Sequence, residues 1–416
     1  MRASTLQPLM VGSAALLLIV ARMPERIVDG FLWAEDGKVF LRDAYALGAA
    51  SLFEPYAQYL HLLPRLVAWL VSRICYIDQV ARPLAWTCAL MLGATCAYLF
   101  TFARERFSLP TAWAFALAPL LVPHTGEVWL TITNLQWVAA PALLLLLWEA
   151  FCIPPPAAGK PGAGPARTAA IVTLTLTGPF GLIFSPVVAI RLAATRNAHR
   201  ARGSRAAIAA YAAAATIQFV VILANPPPAF PPGIPPRAPF GAYLHFPWHD
   251  QLLHYLALDF VMPWAWTDRL GAGWKIAAVA VALLLAACLL LAERAQRRVA
   301  GGLFVIAAGL WMLCVLRLGI PDMQLRWNLG GRYFYVSFIA MAWSLLIIRE
   351  TARRPAARIL AGLVLAMVLV NSIVNFPTAV WRHADLAYRE DATTWVLRVP
   401  PTADWNVPVP PAWKSP

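Results

Sequence analysis

The sequence predicts an all-α, polytopic membrane protein with about eleven transmembrane helices. Of its 416 residues, 60% are hydrophobic and only 13% are charged. Apolar runs near the roughly 20 residues needed to cross a hydrocarbon core recur from end to end. A segment in that environment must satisfy its own backbone hydrogen bonds, which leaves the helix as the spanning structure. A β-barrel would show short alternating segments instead.

The expected helices lie near residues 6–23, 83–103, 109–123, 133–151, 167–177, 179–193, 206–224, 273–292, 300–318, 332–348 and 358–376. The first resembles a secretory signal, because Arg2 precedes an apolar stretch. Arg22, Met23, Pro24 and Glu25 follow it without a small-x-small cleavage site, so a retained helix is expected. The two helices around Gly178 and Pro179 are short and read as a broken or re-entrant pair, tolerated where neighbours cover the backbone. Residues 1–376 are expected to form the membrane domain, with outer loops at 24–82 and 225–272. The tail, 377–416, is too short for a separate domain of ordinary size.

Orientation follows from the basic loops. Arg104 and Arg106, Lys160 and Arg167, Arg191 to Arg205, Arg294 to Arg298, and Arg349 to Arg358 fall on alternate connections. Together with Arg2 they mark the cytoplasmic side. The N-terminus is then cytoplasmic, and the long loops and the tail are periplasmic. This parity requires the apolar stretch 59–76, which contains His61, Pro64, Arg65 and Arg73, to lie in the outer interface. Its arginines would snorkel toward headgroups there. The net charge of +14 is accounted for by these loops and gives no reason to invoke nucleic acid. The six cysteines form no CxxC pair and read as small buried hydrophobes. There is no Walker A loop, no GxGxxG, no Asp-x-Asp and no zinc-ligand spacing.

The strongest candidate for chemistry is the adjacent pair Glu35 and Asp36, set among Phe31, Trp33 and Phe40 just after the first helix. Partial desolvation and a like-charged neighbour both raise a carboxylate's proton affinity, as suits a general base. The plainer reading is that Asp36 caps a helix beginning near Gly37. Asn134 and Gln136 open the fourth expected helix and either offer hydrogen bonds to a ligand or cap it. Glu127 and His124 share the preceding turn. Arg332 and Tyr333 follow Gly330 and Gly331 at a helix start, where glycines admit a phosphate and the helix N-terminus adds positive potential. His249 and Asp250 form a second polar pair.

A cytoplasmic start, one helix, an acidic pair early in a long outer loop, amphipathic segments and then many helices: this order resembles the C-type (GT-C) membrane glycosyltransferases. That superfamily includes protein O-mannosyltransferases and lipid A aminoarabinose transferases. Residues 51–65, Arg82 at the start of the second helix and Arg104 to Phe107 in the turn after it carry the likeness further. It covers about the first 150 residues by motif order and the remainder by hydropathy. The resemblance implies a sugar donor on polyprenyl phosphate in a bacterial inner membrane, and a glycan, lipid or protein acceptor. Asp36 would be the base and Glu35 its support. Arg65, Arg326, Arg332, His61 and Tyr333 would hold the lipid phosphate, and Asn134, Gln136, Glu127 and His249 the sugar or acceptor. No cofactor is implied, and a divalent metal is compatible with the reading.

Two other functions fit the same hydropathy. A lipid-linked-sugar transporter or flippase would bury ionisable residues at mid-membrane. A polysaccharide polymerase or ligase would use a late outer loop, here Arg237, His245, His249 and His254.

Overall fold

The computed structural model describes residues 3–123, 126–151, 164–194, 202–225, 241, 244–318, 331–375, 388–391, 394–397, 399, 406–410 and 413. The chain is overwhelmingly helical. Among the described residues, six helices are long and apolar enough to cross a membrane, against the eleven crossings expected. Four more apolar helices form where they were expected but reach only 10–17 residues by the same measure. Prolines lie inside some of them. Leu109–Leu121 (α4) carries Pro119, and Leu135–Phe151 (α5) carries Pro141.

Contacts divide the chain into two compact, discontinuous units. One comprises residues 1–22, 93–128 and 229–380. It holds α1 (Ala3–Arg22), the second half of α3 (Ala81–Arg104), α4, and four later helices: α9 (Trp274–Leu291), α10 (Arg294–Leu318), α11 (Arg332–Thr351) and α12 (Pro355–Val374). Helix α11 is buried along nearly its whole length, as an all-round apolar helix requires. Small residues let its neighbours approach, and polar groups stitch them. Ser337 and Ser344 donate to the Ala307 and Ala300 carbonyls of α10 at 2.9 and 3.0 Å. Trp343 donates to the Phe115 carbonyl of α4 at 2.9 Å while its ring stacks on Phe115. Gly12 and Gly93 let α1 and α3 meet backbone to backbone.

The other unit comprises residues 23–92, 129–228 and 381–416. It contains the first long loop, α2 (Leu62–Ile74), the first half of α3, α5, α6 (Pro165–Thr175), α7 (Ser185–Ala194) and α8 (Arg202–Ala224). With 13 residues, α2 spans about 20 Å, short of a hydrocarbon core. It is amphipathic. Leu63, Val67, Ala68 and Val71 face the core, while Leu70, Arg73 and Ile74 are exposed. Arg65 departs from expectation: it does not snorkel, but turns inward to 1% exposure and pairs with Asp43.

The expected break around Gly178 is present. Gly178 takes φ +90°, which strains any residue with a side chain, and a Cβ there would collide with Gln136. The freed backbone is satisfied by the first loop. Gly178 donates to the Leu60 carbonyl at 2.8 Å, Leu62 donates to the Leu176 carbonyl at 3.1 Å, and the Leu63 N–H reaches the Thr177 hydroxyl at 3.0 Å. Gln218 of α8, fully buried, accepts from the Leu60 N–H at 3.1 Å and donates to the Leu60 and Gly178 carbonyls at 3.2 and 2.8 Å.

The tail belongs to this second unit and adds a small antiparallel sheet to an otherwise helical chain. Its strands are β1 (Tyr388–Asp391), β2 (Thr394–Leu397) and β3 (Val407–Val409). Leu397, Val399, Val407 and Val409 join a core with Leu32, Phe40, Leu41 and Val67, and Trp413 stacks on Tyr45 at 5.2 Å. A Cβ on Gly37 would fall 2.6 Å from the Val399 Cγ2. Gly37→Ala is therefore expected to destabilise this unit by about 1–3 kcal/mol through overpacking. Thermal unfolding in detergent checks this, and adding Val399→Ala should recover much of the loss.

Candidate functional site

The acidic pair sits on a distorted turn. Residues Asp36–Leu41 form a π-helical turn, a distortion common at functional positions. Ala34, just before the pair, has φ +35°, and Leu130 on the segment facing it has φ +63°. Left-handed non-glycine residues each cost about 1–3 kcal/mol and persist only where surrounding contacts enforce them. Two sets of contacts do so here. Arg26 donates to the Trp129 carbonyl at 3.1 Å with its guanidinium 3.8 Å from the Phe31 ring centroid. Asp36 then ties the same loop to Thr133.

Asp36 is 1% exposed and accepts from three donors. Its Oδ1 takes the Thr133 N–H at 2.9 Å and the Thr133 hydroxyl at 2.6 Å, and its Oδ2 takes the Trp33 N–H at 3.1 Å. The side chain thus bridges residues far apart in sequence and does not cap its own helix, as the plainer reading expected. Burial raises its pKa from 3.8 to about 7. The bonds from Thr133 and Trp33 oppose the rise, and the nearby Glu35 charge adds to it. A folded-state pKa above the unfolded value means that the native protein holds more protons between these limits. Stability should therefore fall as pH rises from about 4 to 7, by a few kcal/mol at most. Thermal unfolding across that range checks the sign, and the decline should vanish in Asp36→Asn.

Glu35 is placed differently. It is half-buried, and its Oε1 accepts from the Tyr56 hydroxyl at 3.2 Å. Its Oε2 has no hydrogen-bond partner. Of the two carboxylates, Asp36 is committed on both oxygens, and Glu35 has one oxygen that is buried but without a hydrogen-bond partner.

Tyr56 leads to His61. The His61 ring is 1% exposed and lies 4.5–5.7 Å from the rings of Tyr59, Phe40 and Tyr56. Its Nδ1 is 3.2 Å from the Tyr59 carbonyl, which only accepts, so Nδ1 carries the proton. Burial lowers the His61 pKa to about 3, with Arg65 adding to the effect. The imidazole is neutral at physiological pH and supplies no positive charge to a phosphate. Arg65 stands 5.4 Å from the Phe40 ring centroid, its Nη1 is 3.1 Å from the Asp43 carboxylate, and its Nε has no hydrogen-bond partner.

The remaining expected residues divide between the units. Asn134, 1% exposed, and Gln136, 6% exposed, begin α5 in the same unit as the acidic pair, next to Thr133. The Asn134 carbonyl accepts the first helical bonds, and the Gln136 Oε1 is buried without a partner beside Gly178. Glu127, Arg332, Tyr333 and His249 belong to the other unit. Arg332 there is neutralised, because its guanidinium and its backbone N–H both bond to the Glu127 carboxylate. Its Nη2 also donates to the Tyr333 hydroxyl at 3.3 Å. The pairing joins the residue expected to hold phosphate to one expected to hold the sugar or acceptor. His249, 80% exposed, belongs to a surface cluster in which Asp250 meets both it and Lys275. Arg326 and His124 lie outside the described residues.

Sequence reasoning missed Tyr56, Asp43, Thr133 and Gln218. Thr131, Thr133 and Asn134 do signal a helix start, but nothing local reveals a carboxylate partner 97 residues away. Among the described residues no three His, Cys, Asp or Glu side chains cluster as metal ligands. No family model, curated protein or solved structure matches the chain.

Proposed function

We propose that the chain is an inverting glycosyltransferase of a bacterial inner membrane, moving a sugar from a polyprenyl-phosphate donor to an envelope acceptor at the periplasmic face. One observation carries the reading: a single unit holds an acidic pair with one carboxylate oxygen unpartnered, followed through Tyr56 and His61 by a buried arginine whose Nε is also unpartnered. The residues fit the acid–base and electrostatic parts of the reaction. Glu35 Oε2 takes the proton of the acceptor hydroxyl. The hydroxyl oxygen attacks the anomeric carbon, the bond to the phosphate oxygen breaks on the opposite face, and the electron pair leaves with the phosphate. Arg65 Nε is the donor in this unit for the growing phosphate charge. Asp36 holds the loop in place.

This gives the proton transfer to Glu35 where the sequence alone favoured Asp36. The near-neutral pKa of Asp36 favours the original assignment. Its three donors occupy both of its oxygens and favour the positioning role, whereas the buried Glu35 Oε2 has no donor to give up.

The exposed face of α2 fits an outer-interface location. Leu70 and Ile74, 50% and 80% exposed, flank exposed Arg73. Phe53, 72% exposed, precedes the helix in the same loop. In this arrangement the chain keeps its N-terminus cytoplasmic and its tail periplasmic. Proteoliposomes loaded with a labelled polyprenyl-phosphate sugar and an acceptor extract test the reaction class. Release of free polyprenyl phosphate supports transfer. Movement of the intact lipid across the bilayer without cleavage would replace it with a flippase.

A further inference from the structure

A second buried acid lies in the other unit, and no part of the proposed transfer reaction uses it. Residues Leu252–Leu258 form a second π-helical turn. Such a turn bonds i to i+5, so residues five apart stand one above the other. Here the Asp259 N–H bonds the His254 carbonyl, and the two side chains meet with His254 Nε2 3.8 Å from Asp259 Oδ1. An α-helical turn would put them on different faces.

The surroundings of Asp259 are those of an uncharged carboxyl. The residue is 5% exposed, and its Oδ1 has no hydrogen-bond partner. On the α12 side stands Asn371, a neutral residue whose Nδ2 is spent on the Asp259 and Phe260 carbonyls at 2.9 and 3.3 Å. On the α11 side, Phe338 packs on Phe260, and Phe334 packs on Tyr255. Thr267 hydrogen-bonds the carboxyl, and the neighbouring charge, Asp268, has the same sign. The nearby cation, Lys275, is held by Asp250 at 2.9 Å, and Asp250 also meets His249. A buried carboxylate without a cation protonates sooner than it stays charged. Burial, with Asp268 adding to it, accordingly raises the Asp259 pKa well above the ordinary range. Burial lowers that of His254. The imidazole is 25% exposed and stacks on Tyr255 and Trp274, each at 4.7 Å.

We propose that His254 and Asp259 form a proton-exchange site, in which the buried carboxylic acid stores a proton and the partly exposed imidazole passes it to and from solution. On release, the 3.8 Å gap closes to hydrogen-bond distance, the proton leaves Oδ1 for His254 Nε2, the electron pair of the O–H bond stays on the carboxylate, and the ring gives up its other proton from Nδ1. Uptake reverses these steps. The ligand is a proton alone, bound independently of sugar transfer.

Infrared spectroscopy of the full chain in lipid nanodiscs tests the assignment. The expected result is a component of the protonated-carboxyl stretching band at pH 7, distinct from that of Asp36, that is absent from Asp259→Asn, a near-isosteric change that keeps the neutral packing. After transfer into D₂O, that band should shift within the mixing time in the wild type and at least 10-fold more slowly in His254→Phe. A band unchanged by Asp259→Asn would overturn the stored proton. Equal exchange in wild type and His254→Phe would overturn the relay.

Discussion

Glu35→Gln is expected to lower sugar transfer by about 10²–10⁴-fold, the usual contribution of a positioned general base, with protein abundance unchanged. Glutamine keeps an oxygen for the Tyr56 hydroxyl, now 3.2 Å from Glu35 Oε1. It loses only the charge and the proton-accepting lone pair of Oε2, the oxygen that has no partner. The loss should therefore appear in kcat, with unfolding temperature and donor binding near wild type. Asp36→Asn should behave differently. Its carboxylate accepts from Trp33 and twice from Thr133, so the amide NH₂ of asparagine must face at least one N–H or O–H donor. A misplaced buried donor costs about 1–3 kcal/mol. Lower stability should then accompany the lower activity, and Thr133→Val should reproduce part of both. If Asp36→Asn keeps full stability yet abolishes transfer, while Glu35→Gln stays active, Asp36 is the base.

The largest stability effect is expected from Gln218→Leu. Gln218 is fully buried and serves three backbone groups, the Leu60 N–H and the carbonyls of Leu60 and Gly178. Leucine fills the space but offers those groups no hydrogen bond. The Leu60 carbonyl keeps its bond from Gly178. The Leu60 N–H and the Gly178 carbonyl lose theirs, at about 1–3 kcal/mol each. The total, roughly 3 kcal/mol, is large against the ~5–15 kcal/mol by which domains are normally stable. Leu223→Ala on the same helix, at a side chain 68% exposed, is the control and should cost far less. Because the Gly178 break anchors Leu60 and hence His61, the variant should also lower transfer. Unfolding temperatures in detergent alongside transfer rates check both parts.

Much of this architecture was legible because apolar length is a strong signal. The helices at 81–104, 332–351 and 355–374 form within a few residues of their expected positions. The break at Gly178 was legible too, since glycine followed by proline is a strong local signal for a turn. The position of the acidic pair in the first loop was readable from order along the chain. The division of labour within the pair was not, because it depends on Thr133 and Tyr56, partners supplied by tertiary contacts. Arg65 shows the same limit. An arginine in an amphipathic segment snorkels unless an acid on the inward side intercepts it, and the partly buried Asp43 is that acid. The Glu127–Arg332 pair joins residues 205 positions apart, and so reads from sequence as two independent sites. The tail's strands were missed because each has only three or four residues and depends on packing against the first loop.

Photo-crosslinking with a diazirine-bearing polyprenyl-phosphate sugar, mapped by mass spectrometry, tests the central claim most directly. If Glu35, Tyr56, His61 and Arg65 hold the donor, label should concentrate on peptides covering residues 31–66, and excess unmodified donor should compete it away. Competable label confined to segments of the other unit, such as 248–275 or 332–351, would contradict a donor site on the first loop.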